Sequence, residues 1–101
     1  MIDLSHMKRL RKMTDLAPAA WKGFVEFDKA AFADGAIPSK MKELIALGVA
    51  LTTQCVYCLE IHRKRAIEKG ATEAEIAEAS LVAAAIRAGG AVAHAGHLLS
   101  D

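Results

Sequence analysis

The sequence predicts an all-α protein, a compact bundle of about five to six helices. Three observations carry this expectation. No run of five or more residues alternates apolar with polar between turn signals, so no strand is expected. The apolar pattern is helical nearly everywhere, and alanine is abundant. Glycine and proline punctuate the helical stretches rather than interrupt them.

The elements follow in order. Residues 5–14 form a basic, weakly amphipathic first segment. A second helix begins near Asp15, carries Pro18 in its first turn and ends before Gly35. Trp21, Phe24, Val25 and Phe32 share one face of it and are the expected core contacts, with Asp28 on the same face. A third helix runs from about residue 38 or 39 to residue 53, charged early at Lys40, Lys42 and Glu43 and apolar afterwards. A fourth carries both cysteines and ends before Gly70, a glycine suited to the left-handed position after a helix. A fifth opens on the capping box Thr72-Glu73-Ala74-Glu75 and runs to about residue 88. Gly89-Gly90 is expected to break it, leaving a short last helix with His94 and His97.

The bulk numbers bound the function. With 101 residues the chain suffices for one domain over residues 1–101 and one modest core. Hydrophobic residues make up 53% and the mean hydropathy is +0.23, more than so short a chain readily hides. Part of that surface is expected in a subunit interface, so a homo-oligomer is predicted. A net charge of +1 points to neither a nucleic-acid groove nor an anionic membrane. No signal peptide is read, because Met1-Ile2-Asp3-Leu4-Ser5-His6-Met7-Lys8 has no apolar core. The most apolar stretches, residues 44–53 and 79–86, are too short to cross a bilayer. A cytoplasmic setting is the default, and there a Cys-x-x-Cys pair is seldom a structural staple.

The chemistry concentrates in Cys55-Val56-Tyr57-Cys58-Leu59-Glu60-Ile61-His62, which contains the chain's 2 cysteines. At about 100° per residue, both thiols and the imidazole fall within an arc of roughly 60° on a helix. Thr52-Thr53-Gln54 before them can interrupt or cap a helix. A helix starting there places Cys55 in its first turn, where backbone N–H groups and the dipole favour thiolate. Cys58 then lies one turn in, and His62, four residues on, can accept its proton. A redox-active dithiol, a zinc site completed by His94, His97 or another subunit, and plain core packing all fit these residues. Glu43, twelve residues before Cys55, either folds back to orient His62 or pairs with Lys40 or Lys42 on a solvated face. His94 and His97 read as surface residues, and Tyr57 and Trp21 as packing residues.

Glu43, eleven residues, Cys55-x-x-Cys58, three residues and His62 together resemble the signature of the alkylhydroperoxidase D-like, carboxymuconolactone decarboxylase-related family. Met41-Lys42-Glu43-Leu44-Ile45-Ala46-Leu47 is similar to that family's lead-in helix. His62-x-x-x-Ala66-x-x-x-Gly70-Ala71-Thr72-x-x-Glu75-Ile76 is similar to its continuation, so the resemblance covers about residues 35–95 and fits a compact single-motif branch.

The resemblance implies an all-α fold with the cysteines opening a core helix, and trimers or hexamers. It implies a peroxidase in which Cys58 attacks a small hydroperoxide, Cys55 resolves, and Glu43 and His62 relay protons. A dihydrolipoyl or thioredoxin-like protein would restore the dithiol, and no organic cofactor is needed. Tyr57 stands where the well-studied peroxidase members have a histidine. A decarboxylase of the same fold, acting on a small carboxylic acid, is the alternative. It would need a cationic pocket, for which Arg87 with His94 or His97 is the available set. True decarboxylases of the superfamily generally lack the cysteine pair. A non-enzymatic metal-binding module is the third possibility.

Overall fold

Each helix boundary has a local chemical cause. The structure, a computed structural model, describes residues 5–101. Residues 1–4, part of the stretch read for a leader, lie outside it. Five α-helices and two short 3-10 helices occur among the described residues, and no strand.

The chain divides into two units, one ending at Ser39 and the other spanning Lys40–Asp101. In the first, a 3-10 helix over Ser5–Lys12 leads into α1 (Met13–Leu16) and α2 (Pro18–Phe32). Proline opens α2, where its missing N–H costs nothing and its fixed φ suits the helix. Trp21 stacks on Phe24 with ring centroids 5.7 Å apart. The expected core role of the α2 face is met only in part: Trp21 and Phe32 are half-buried, Phe24 is 56% and Val25 45% exposed, and no residue of the helix is fully buried. A periodic apolar face reports that a helix needs a partner surface, not that the same chain supplies it.

The second unit holds α3 (Ser39–Thr53) from Lys40 onward, α4 (Val56–Glu68) and α5 (Glu73–Ala95), with a closing 3-10 helix over Gly96–Leu98. Its core is small: Leu44 and Leu47 of α3 meet Ala66 of α4 and Ala71, with Leu59, Ile76 and Ala79 packed around them. Ala66 is fully buried, so α4 can approach α3 only because that position carries a methyl group.

α4 ends in a Schellman motif. Gly70 sits at φ +92°, Ala71 N–H donates to the Ala66 carbonyl at 2.9 Å and Gly70 N–H to that of Ile67 at 3.0 Å. Two residues later the capping box opens α5. Thr72 Oγ1 accepts from Glu75 N–H at 3.1 Å, and Glu75 Oε1 accepts from Thr72 N–H at 2.9 Å. Glu75 Oε2 also takes a hydrogen bond from Lys40 Nζ at 3.0 Å, which ties the start of α5 to the start of α3.

α5 does not break at Gly89-Gly90 but continues to Ala95. Each glycine costs about 1 kcal/mol against alanine, and the alanine-rich flanks and cooperative propagation of the helix absorb that cost. The helical run Glu73–Leu98 is therefore long and apolar enough to cross a membrane by length and composition, unlike the separate stretches read from sequence. Ile76 and Ala79 on that run pack against the core of the unit.

The carboxyl of Glu75 lies below its ordinary 4.5, chiefly through the Thr72 N–H bond and then through Lys40. A lowered carboxyl contributes stability above its unfolded value, and that contribution disappears as pH falls through the lowered value. Stability of the parent in chemical denaturation should therefore fall below about pH 4.5, while Glu75→Gln, which supplies an amide oxygen for the cap, should show a flatter acid limb. Parallel acid limbs for the two proteins would contradict the assignment.

Candidate active site

The turn between α3 and α4 sets the geometry of the cysteines. Gln54 adopts φ +58°, the left-handed position that ends a helix, and Cys55 N–H donates to the Ala50 carbonyl at 3.0 Å. This is the same 6→1 closure that ends α4, made here without glycine. Thr52 Oγ1 donates to the Val49 carbonyl at 2.7 Å, and Arg87 Nη1 from α5 donates to the Thr52 carbonyl at 2.6 Å.

Cys55 is then the N-cap of α4 rather than a first-turn residue. Its sulfur accepts Cys58 N–H at 3.3 Å, in the place usually taken by a serine, threonine or aspartate oxygen. Cys58 is the third helical residue, nearer the helix start than the sequence suggested. The N-cap and third position bring the two Cα atoms to 5.3 Å, within the range a disulfide needs, and Cys55 and Cys58 are joined. Both residues are half-buried.

Glu43 lies on the inner face of α3 with a side chain only 1% exposed, and its Oε2 stands 2.7 Å from Nδ1 of His62, whose side chain is 15% exposed. A carboxylate accepts from Nδ1–H, which leaves the acceptor lone pair of the imidazole on Nε2. His62 follows Cys58 by four residues on α4, a spacing that puts their Cβ atoms about 5–6 Å apart on one face. Of the two sequence readings for Glu43, the one that folds it onto His62 describes its position. Lys40 is paired with Glu75 instead.

The residues considered for a cationic pocket lie on α5 and in the 3-10 helix that follows it. Arg87 binds the Thr52 carbonyl, while His94 Nδ1 lies 2.7 Å from the Gly90 carbonyl and its ring 5.9 Å from that of His97, both histidines exposed. Among the described residues no three His, Cys, Asp or Glu side chains converge as a metal-binding group. Tyr57 is 39% exposed. Sequence reasoning missed the Arg87 contact and the left-handed Gln54. The polar run Thr52-Thr53-Gln54 was the available sign of a helix end.

Fold and site together define a helical dithiol protein, with a Cys-x-x-Cys pair opening one helix and a Glu–His pair bridging it to the helix before. The model of the carboxymuconolactone decarboxylase family matches residues 18–101, and the chain belongs to that family, the one its motif resembles. A carboxymuconolactone decarboxylase family protein from Legionella pneumophila, solved without ligand, superposes with a TM-score of 0.75 at 32% identity, covering 79% of this chain and 71% of that one. A protein from Methanobacterium thermoautotrophicum gives a TM-score of 0.75 at 36% identity, covering 80% and 93%. An uncharacterized protein from the cox locus of Paracoccus denitrificans is 49% identical over 77 residues, 76% of this chain and 69% of its own length. An uncharacterized protein of Cupriavidus necator is 39% identical over 61 residues, and the match spans 54% of that relative.

Removing the carboxylate should expose how much the buried pair carries. Glu43→Ala leaves the imidazole Nδ1–H without its acceptor in a nearly closed site, and should cost about 3 kcal/mol in denaturant unfolding. Glu43→Gln keeps an acceptor oxygen and should cost under about 1 kcal/mol. Equal losses for the two variants would mean that the carboxylate charge, not a retained acceptor oxygen, carries the stabilisation.

Proposed function

We propose that the protein is a thiol-dependent peroxidase of the alkylhydroperoxidase D-like kind, with Cys58 as attacking thiol, Cys55 as resolving thiol and Glu43–His62 as proton relay. The observation that carries this reading is the Glu43–His62 pair at 2.7 Å, held one helical turn beyond a joined Cys55–Cys58. A buried carboxylate that orients an imidazole toward a dithiol serves proton transfer, whereas a purely structural cysteine pair needs neither group.

The cycle balances in three steps. His62 takes the Cys58 proton, and the thiolate sulfur bonds to the terminal oxygen of a small hydroperoxide as the O–O bond breaks. The leaving alkoxide takes a proton through the relay, giving an alcohol and Cys58 sulfenic acid. The Cys55 thiol displaces hydroxide from that sulfur, water leaves and the disulfide forms. A dithiol donor, of dihydrolipoyl or thioredoxin-like type, then supplies two electrons and two protons. The decarboxylase alternative gains no support from Arg87, whose guanidinium binds the Thr52 carbonyl. A reducing cytoplasmic setting, and no nucleic-acid or membrane partner, belong to the same reading.

Thiol assignment is decided by trapping. Cys58→Ser should abolish peroxide consumption, and Cys55→Ser should leave a sulfenic acid on Cys58 that dimedone labels. Labelling confined to Cys55 in the Cys58→Ser variant would reverse the roles. Glu43→Gln, folded and reduced, should slow the attack about 10²- to 10⁴-fold. An unchanged rate across about pH 5 to 9 would leave Glu43 outside the chemistry.

The protein also works, in this reading, as a homo-oligomer, a trimer or hexamer by resemblance. An apolar groove of about 630 Å³ runs between α3 and α5, lined in part by Ile45, Val49, Val82 and Ile86. Those four side chains are 52%, 56%, 63% and 71% exposed in the single chain, more apolar surface than a small monomer usually leaves to water. Light scattering at micromolar concentration should give a multiple of 10.8 kDa, and a mass of one chain would end this part of the proposal.

A further inference from the structure

We infer that Arg87 is a positioning residue for the dithiol, holding the end of α3 so that the following turn presents Cys55 to Cys58. The inference rests on the redox reading proposed above, and its test does not require peroxide.

The contact is specific in place and chemistry. Arg87 lies on α5, 35 residues beyond Thr52, and its Nη1 donates to the Thr52 carbonyl at 2.6 Å. That carbonyl belongs to the last turn of α3, where acceptors lack helical partners and the dipole is negative, so a guanidinium suits it twice over. Three residues later comes Cys55.

The turn between them is not one that local preference secures. Gln54 holds φ +58°, a conformation that residues other than glycine and asparagine adopt at a cost. The Cys55 N–H bond to Ala50 closes it from within the chain segment. Arg87 adds a tie from a different helix. In the oxidised protein the disulfide itself keeps the turn closed. In the reduced protein the turn alone determines how often Cys55 Sγ lies within bonding reach of Cys58 Sγ, which is the effective concentration of one thiol for the other. A tie on the turn therefore favours disulfide over open dithiol. It also speeds condensation of Cys55 with a Cys58 sulfenic acid. Attack on peroxide should not change, because Glu43 and His62 lie elsewhere on α3 and α4.

The sign separates this role from a simple charge effect. A cation near the thiols stabilises thiolate, so its removal favours the disulfide. Loss of a positioning tie does the opposite. It also separates from a fold-stabilising role. Loss of a contact equally strong in both redox states lowers the unfolding midpoints of oxidised and reduced protein alike and leaves their equilibrium where it was.

The experiment is equilibration of the full-length protein with reduced and oxidised glutathione at pH 7, quenched and counted as disulfide and dithiol. One protein disulfide and two glutathione thiols exchange with one protein dithiol and one glutathione disulfide, so atoms and electrons balance. Arg87→Met keeps the exposed aliphatic arm without the donor. It should shift the constant roughly three- to tenfold toward dithiol, the size of one partly exposed charged hydrogen bond. Arg87→Lys, which can donate once to the same carbonyl, should return to within about twofold of the parent. Dimedone-trappable sulfenic acid on Cys58 should persist longer in the methionine variant after one equivalent of peroxide. An unchanged constant, or a shift toward disulfide, overturns the inference. Failure of the lysine variant to recover overturns it as well. Should Arg87→Met not fold, Arg87→Gln, whose shorter arm falls short of Thr52, replaces it under the same criteria. A parent that exchanges with glutathione but consumes no peroxide would end the peroxidase reading and leave this test intact. A parent that does not exchange at all would end both.

Discussion

A carboxylate with 1% of its side chain exposed must be answered by a donor, and for Glu43 that donor is the Nδ1–H of His62. This single requirement ties α3 to α4. It sets the register of the two helices, because Glu43 can reach His62 only when the inner faces of both meet. The small core supports the same register, with Leu44 and Leu47 following Glu43 on α3 and Ala66 following His62 by one turn on α4. Ala66 leaves room for the approach that the hydrogen bond demands. The polar contact specifies the arrangement, and the apolar contacts on its flanks keep water from competing for it.

The dithiol depends on that register through a turn of minimal length. Gln54 and Cys55 are the residues between the last of α3 and the first of α4. Cys55 consequently serves both helices, its N–H closing α3 on the Ala50 carbonyl and its sulfur capping α4 on Cys58 N–H. The cap of α4 and the Cys55–Cys58 bond therefore share one atom. A change in the bonding of Cys55 sulfur changes the cap of the helix that carries Cys58 and His62. The helix N-terminus offers N–H groups to whichever sulfur bears negative charge. The order Glu43, turn, Cys55, Cys58, His62 is thus one mechanical unit, with the Glu43–His62 pair at its core end and the Cys55–Cys58 pair at its turn.

Much of this was legible in the residues for identifiable reasons. Pro18, Gly70 and the Thr72–Glu75 box mark helix ends because their effects are local: a fixed φ, a tolerated positive φ, a pair of reciprocal hydrogen bonds. The stripe of Cys55, Cys58 and His62 was legible because helical spacing fixes angles. Glu43 was ambiguous from pattern alone, since a carboxylate near two lysines equally suits a solvated face, and resemblance to a family motif pointed to His62. Three features were not legible. Continuation of α5 through Gly89-Gly90 depends on the whole helix outweighing two weak positions. The Arg87–Thr52 bond joins a side chain to a backbone atom 35 residues away, and no residue pattern encodes such a contact. The exposure of Phe24 and Val25 shows that periodicity identifies a face without identifying what covers it.

That last point applies most strongly to α3. One side of this helix presents Glu43, Leu47 and Ala50, all buried. The other presents Met41, Ile45 and Val49, each at least 45% exposed and lining the groove shared with α5. A helix on the surface of a small protein normally turns charge toward water, and beyond Glu43 this one carries no charged residue up to its end at Thr53. An α-helix apolar on both sides is written for burial on both sides. The inner side is satisfied by the Glu43–His62 hairpin. Covering the outer side by a second surface would remove the α3–α5 groove from water, and would stiffen the two helices that supply Glu43 and Arg87. The composition of α3 therefore sets the Glu43–His62 pair on its inner side and an uncovered apolar strip on its outer side.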